Sequence, residues 1–306
     1  MNSLTSLLAS QSGLSHADVL RILNTAPKRY KIYSIPKRGG GMREIAQPSR
    51  EVKLLQRIFV DEVLTKLPVH SAATAYRKGC SIRQNAEAHL GATPILKMDF
   101  KDFFPSLHGV DWLRYCRHNR ILNESDAALS ANLLFRKAKK DRTLKLSIGA
   151  PSSPALCNVL LFDFDSYVAE AASRRNIVYT RYADDLTFSG QRFGLLKDMP
   201  EIVRTAIREA KGPRLRVNED KTVFVSSKFQ RRVTGLVLTN TGTVSIGREQ
   251  KRKIRASVHR ALLNKLEPNE VASLKGYLAY IKSVEPEFLQ VISRTYSDFD
   301  TEWLLP

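Results

Sequence analysis

The sequence predicts an α+β fold, with strand hairpins and amphipathic helices on one chain of 306 residues. Two observations predict it. β-Branched and aromatic residues flank short turn segments at 30–46 and 177–189, the pattern of antiparallel hairpins. Between and after them, apolar residues recur at helical spacing, as in Val52, Leu55, Phe59, Val63 and Leu67. Hydrophobic residues make up 43% of the chain, enough for a sizeable core.

Ser15 followed by Asp18 resembles a capping box and starts a helix through Val19, Leu20, Ile22 and Leu23 that Pro27 ends. Residues 30–35 alternate as a strand, 36–41 form a basic glycine-rich loop, and 42–46 return. Such a loop suits a plain hairpin connection, or phosphate contact through backbone N–H groups and cations. Pro48-Ser49 opens a long helix that Pro68 closes. A second helix over 81–90 carries Asn85 and His89 at i and i+4, on one face. Residues 94–98 form a short apolar strand ending on Asp99, followed by a turn into another helix. A helix over 124–140, a small-residue turn over 147–154 and a long apolar helix over 155–174 come next. The hairpin at 177–189, a helix at 195–210, strand-like residues over 215–225 and a hairpin from 232–237 with 243–246 complete the order.

Forty-nine Lys and Arg stand against thirty Asp and Glu, a net charge of +19 that points to a polyanionic partner. There is no long apolar run and no basic amphipathic helix with an aromatic face, so a membrane partner is not expected. The charge is uneven. Residues 228–260 hold nine basic residues against the single acid Glu249, whereas 267–302 hold seven acids and three bases. The basic stretch, with Lys251, Arg252, Lys253 and Arg255 near its centre, reads as a nucleic-acid backbone contact. Cys80, Cys116 and Cys157 have neither disulfide nor zinc spacing, and residues 1–11 do not resemble a secretory leader; both suit a cytoplasmic protein with reduced thiols.

Asp184 and Asp185 sit at the turn of the second hairpin, where both can reach one groove. Alone, they fit an ordinary Asp-rich turn or a cation site. Asp99 adds a second element, because a carboxylate ending an apolar strand is costly unless it pairs or works. Transfer of a nucleotide to a hydroxyl is served by two Mg²⁺ ions about 3.5–4 Å apart, held by carboxylates from separate elements.

These residues carry a family resemblance. Tyr182-Ala183-Asp184-Asp185 resembles the Tyr-x-Asp-Asp box of reverse transcriptases. Asp99 with Phe100-Lys101-Asp102-Phe103-Phe104 resembles their first palm motif, and Gly149-Ala150-Pro151-Ser152-Ser153-Pro154 the motif that follows. Lys221 and Val233-Thr234-Gly235 resemble the later motifs, and the order of boxes agrees over residues 30–260. Asn85-Ala86-Glu87-Ala88-His89 and Val233-Thr234-Gly235 are similar to two boxes of bacterial retron reverse transcriptases. One position departs: Ile148 stands where those enzymes usually have Gln. A diversity-generating or group II intron-like reverse transcriptase is the alternative, as is a catalytically silent RNA-binding relative.

The resemblance implies a right-hand polymerase with fingers, an antiparallel-sheet palm and a helical C-terminal thumb. It implies an N-terminal helical segment over 1–29, fingers and palm over 30–246, and a thumb binding RNA and template-primer over 247–306. Asp99, Asp184 and Asp185 would be catalytic and would hold two Mg²⁺ ions. Arg43, Phe104, Gly149, Ala150 and Lys221 would bind the dNTP, with Lys37 or Arg38 as further candidates. Phe104 would exclude a 2′-OH. Asn85, His89, Val233, Thr234, Gly235 and the basic residues 251–253 and 255 would contact RNA. The implied partners are a cognate structured noncoding RNA, its RNA–DNA product and an effector protein. The implied activity is synthesis of branched msDNA from an internal 2′-OH, in antiphage defence.

Overall fold

The computed structural model describes residues 3–37, 40–92, 94–138, 142–210, 212–226 and 228–296. Arg38 lies outside them. The chain opens with α1 (Leu4–Ser12) and α2 (His16–Thr25), then the hairpin β1 (Tyr30–Pro36) and β2 (Met42–Pro48). α3 (Arg50–Glu62), α4 (Ile82–Glu87), β3 (Ile95–Asp99), α5 (Phe103–Ser106), α6 (Gly109–Asn119) and α7 (Glu124–Leu134) follow. Then come α8 (Ser153–Leu160), α9 (Phe162–Ser173), β4 (Val178–Tyr182), β5 (Asp185–Ser189), α10 (Phe193–Leu196) and α11 (Met199–Glu209). The last elements are β6 (Val223–Val225), β7 (Arg232–Val233), β8 (Leu236–Leu238), β9 (Val244–Ser245), α12 (Arg248–Leu262), α13 (Pro268–Val284) and α14 (Pro286–Thr295).

Local chemistry explains several ends. The Ser15 and Ser49 hydroxyls accept the backbone N–H groups of Asp18 and Val52, capping α2 and α3. α1 carries no strong apolar periodicity and is not evident from the sequence pattern. The helix expected over 124–140 stops at Leu134, because Arg136 turns into a β-bridge with Lys145. The long helix expected over 155–174 is two helices, interrupted where Leu161 leaves helical geometry at φ −98° and ψ 8°.

β4, β5, β3 and β6 form an antiparallel sheet in that order. Its register puts Asp99 opposite Asp185, Lys97 opposite Thr187 and Ile95 opposite Ser189. Successive side chains in a strand alternate faces, so the sheet sorts its residues. Leu96, Met98, Tyr179, Leu186 and Phe188 face the main core, shared with α1–α3, α6–α9 and α11. The opposite face carries Asp99, Lys97, Asp185, Thr187, Ser189, Thr180 and Tyr182.

A second core lies beside the first. Ala86 and Ile95 join Val233, Leu236, Leu238, Val244 and Ile246 from the small sheet β7-β8-β9, and the buried faces of α12–α14. The boundary expected at 247 falls inside this core, because the small sheet packs with the C-terminal helices. None of the described helices is long and apolar enough to cross a membrane.

Candidate active site

The β4–β5 turn has two residues, Ala183 and Asp184, between the paired Tyr182 and Asp185. Ala183 adopts φ +57°, a left-handed conformation that costs a non-glycine residue about 1–3 kcal/mol. Its surroundings hold it there. Ala183 is buried and its carbonyl accepts a 3.1 Å hydrogen bond from the Arg181 guanidinium. Arg181 is itself fully buried and bonds Asp165 through Nε (2.8 Å) and Nη2 (2.6 Å), and Tyr179 Oη donates to the same carboxylate at 2.8 Å. This ion pair anchors the hairpin from the core side of the sheet.

On the other face, strand pairing sets the Asp99 and Asp185 backbones side by side, and Phe100 N donates to the Asp184 carbonyl at 3.1 Å. The Asp99 carboxylate is buried and takes hydrogen bonds from Lys221 Nζ (2.8 Å) and Asn218 Nδ2 (3.2 Å). Burial pushes the Asp184 carboxyl up, and the Asp99 charge pushes it further, while Lys221 and Arg43 pull it back. Desolvation by the surrounding palm, followed by the Asp184 charge, raises Asp185 to about 6 although its side chain keeps contact with solvent. The hydrogen bond to Asp99 raises Lys221.

Among the described residues, no group of three or more His, Cys, Asp or Glu side chains is gathered tightly enough to grip a metal ion. The Asp99 carboxylate is turned onto Lys221 and Asn218. The donor set nonetheless fits a hard divalent cation, since it consists of carboxylate oxygens. A cation there would also relieve the like-charge repulsion that raises Asp184 and Asp185.

Phe104, Gly149 and Ala150 line one cavity of about 370 Å³, together with Lys53, Arg57 and Tyr76. Lys53, Arg57 and Tyr76 were not singled out by the sequence pattern; their only signal is two bases one turn apart on α3. Gly149 has a further reason to be glycine. It sits at φ +115°, and a Cβ there would lie 3.1 Å from the Ala46 carbonyl oxygen on β2, whose N–H donates to the Ile148 carbonyl at 2.8 Å. Arg43 is exposed on β2, and its charge is felt at both Asp184 and Tyr76.

The residues expected to meet RNA divide. The side chains of Asn85, His89 and Val233, three of those expected at RNA, are buried in the protein. The helix carrying Asn85 also ends at Glu87, leaving His89 in the turn beyond it. Thr234 (φ +48°) and Gly235 (φ +85°) form the two-residue turn between β7 and β8, a geometry that demands left-handed backbone at both positions. They line a second cavity of about 660 Å³ with Arg232, Tyr277 and Tyr280. Lys251 is half-buried against Glu285 (2.5 Å), and Lys251 and Arg255 both lie over the Phe288 ring. Arg252 is exposed, and Lys253 pairs with Glu249.

The chain resembles known proteins in sequence and in fold. Residues 35–254 match the family described as "Reverse transcriptase (RNA-dependent DNA polymerase)". The chain is 34% identical over 272 residues to Retron Ec83 reverse transcriptase of Escherichia coli, covering 88% of this chain and 87% of that protein. It is 36% identical over 281 residues to Retron Ec86 reverse transcriptase of the same organism, with 88% and 81% covered. Retron Ec73 reverse transcriptase, also from Escherichia coli, is 32% identical over 311 residues, with 98% and 96% covered. A solved telomerase from Candida albicans superposes with a TM-score of 0.51 at 13% identity, over 90% of this chain and 65% of that one, a likeness of fold alone. The fold is that of a right-hand polymerase, and the chain belongs to the retron reverse transcriptases, which makes it an RNA-directed DNA polymerase.

Proposed function

We propose that this polymerase copies part of a cognate structured noncoding RNA, starting from an internal 2′-OH, and yields a branched RNA–DNA molecule, msDNA. In the first step the 2′-oxygen bonds to the α-phosphorus of a dNTP as the bond to pyrophosphate breaks. The observation that carries this reading is the pairing of Asp99 with Asp185 across β3 and β5, with Asp184 at the adjoining turn. Asp99 and Asp184 would hold two Mg²⁺ ions, with Asp185 supporting them; such ions, when bound, neutralise charge on the attacking and leaving oxygens.

The chain's own residues do the positioning. Lys221, whose ammonium reaches Asp99, stands ready to meet the departing pyrophosphate. Arg43 offers a guanidinium to the incoming triphosphate. Phe104 would be the residue against which a 2′-OH clashes, in the cavity that it lines with Gly149 and Ala150. Thr234, Gly235, Arg252, Lys253 and Arg255 present backbone and cations to RNA from the second core, which we take as the thumb together with β7–β9. Cytoplasmic residence, an effector protein and a role in antiphage defence complete the proposal, as what the retron resemblance implies.

The test is nucleic acid from cells expressing the chain with its cognate RNA. A small RNase-resistant DNA whose mobility changes on debranching is expected. Its absence beside an intact RNA and a polymerase active on a supplied primer would reject 2′-OH priming.

A further inference from the structure

Asn85 and His89 are buried and polar; His89 bonds the two strands that carry the catalytic turn directly, and Asn85 reaches them only through Thr74. His89 Nδ1 lies 2.7 Å from Ser189 Oγ on β5, and Nε2 lies 2.8 Å from Thr180 Oγ1 on β4. Both hydroxyls are on the sheet face that bears Asp99 and Asp185, because residues 185, 187 and 189 alternate onto one side. Ser189 is about 13 Å along the strand from Asp185. The imidazole thus ties the middle of β4 to the end of β5 remote from the turn. Asn85 works at mid-strand. Its Oδ1 accepts from Thr74 Oγ1 at 2.8 Å, and Thr74 N donates to the Arg181 carbonyl at 2.9 Å. Arg181 in turn holds the Ala183 carbonyl. A second connection leaves α4 at its start, where Thr234 Oγ1 donates to the Ile82 carbonyl at 3.1 Å. Ala86 of α4 also belongs to the second core.

We infer that Asn85 and His89 are positioning residues for the Asp184–Asp185 hairpin, acting as a brace that joins it through α4 to the Val233–Gly235 turn. The inference rests on the reading of Asp184 and Asp185 as the polymerase carboxylates. It assigns both residues to the chemistry through structure, and not to RNA contact. Such a brace matters because small displacements of positioned carboxylates are costly in rate.

The full-length protein tests this with His89→Ala, His89→Gln and the partner change Thr180→Val. For each, single-nucleotide incorporation on a supplied RNA template with a DNA primer, affinity for that template-primer, and amide hydrogen exchange over residues 178–189 are measured. His89→Ala is expected to lower kcat about tenfold or more, leave template-primer affinity within about twofold, and speed exchange in the hairpin. Thr180→Val should show the same pattern more weakly, and His89→Gln, which keeps a donor and an acceptor, should restore part of kcat. Loss of template-primer affinity with normal kcat and unchanged exchange would overturn the inference. If His89→Ala does not fold, Thr180→Val decides by the same criteria. An inactive wild-type protein would count against the polymerase reading alone, and the exchange measurement would still decide for or against the brace.

Discussion

The two faces of the palm sheet treat charge in opposite ways. On the core face, Arg181 and Asp165 are fully buried and opposite in sign, with the guanidinium and carboxylate bonded to each other. On the open face, Asp99, Asp184 and Asp185 are alike in sign, and burial with mutual repulsion raises the latter two. A buried charge with its counter-charge stabilises one arrangement, provided the pair stays whole. Like charges held together despite their repulsion mark a place where a cation or a reacting group is meant to enter. The hairpin from Val178 to Ser189 contributes to both, with Arg181 on one face and Asp185 on the other by strand alternation.

Substitution on each face should break this contrast differently. Asp99→Asn is expected to lower dNTP incorporation about 1000-fold while the protein stays folded, as read by primer extension beside thermal melting. Asp165→Asn should do the reverse in kind. It leaves Arg181 buried without its carboxylate and should cost about 3–5 kcal/mol of stability, read by denaturant unfolding. Equal stability losses from the two changes would erase the distinction between the faces.

The parts that were legible from the sequence are those governed by neighbours in the chain. Alternation around 177–189 and the apolar run ending at Asp99 are local patterns, and the strands formed where they predicted. Asn85 and His89 could be placed on one side of a helical turn, but what that side faces depends on Thr180 and Ser189, about a hundred residues away. The same holds for Lys221, which reaches Asp99 across 122 positions, and for Arg181, whose partner is on α9. Gly149 could be read as an open approach; its tight contact with the β2 backbone needs the fold to be seen. The second core was hidden because three short strands gave too little periodicity to announce their packing against α12–α14.

A finer test uses pH. Burial lowers His89 from 6.5 to about 4, so folding requires the neutral ring. The unfolded chain binds that proton first as pH falls, so the contribution of His89 is complete above about 6.5 and declines toward pH 4, by roughly 3 kcal/mol across the window. His89→Gln should flatten this part of a stability–pH curve, measured by denaturant midpoints. Phe104→Ala should raise rNTP use relative to dNTP about tenfold, read by competitive incorporation. The smallest effect is expected at the exposed base Arg252. Its change to Ala should weaken RNA binding a fewfold and make the slope of log affinity against log salt shallower by about 1.

The most direct measurement is a metal titration of single-dNTP incorporation on an RNA template, comparing the wild-type chain with Asp184→Asn. Incorporation by the wild type that depends on Mg²⁺, with a loss of about 1000-fold in the variant at every Mg²⁺ concentration, is the predicted result. Equal incorporation by the two proteins would contradict the assignment of the open face as the polymerase site.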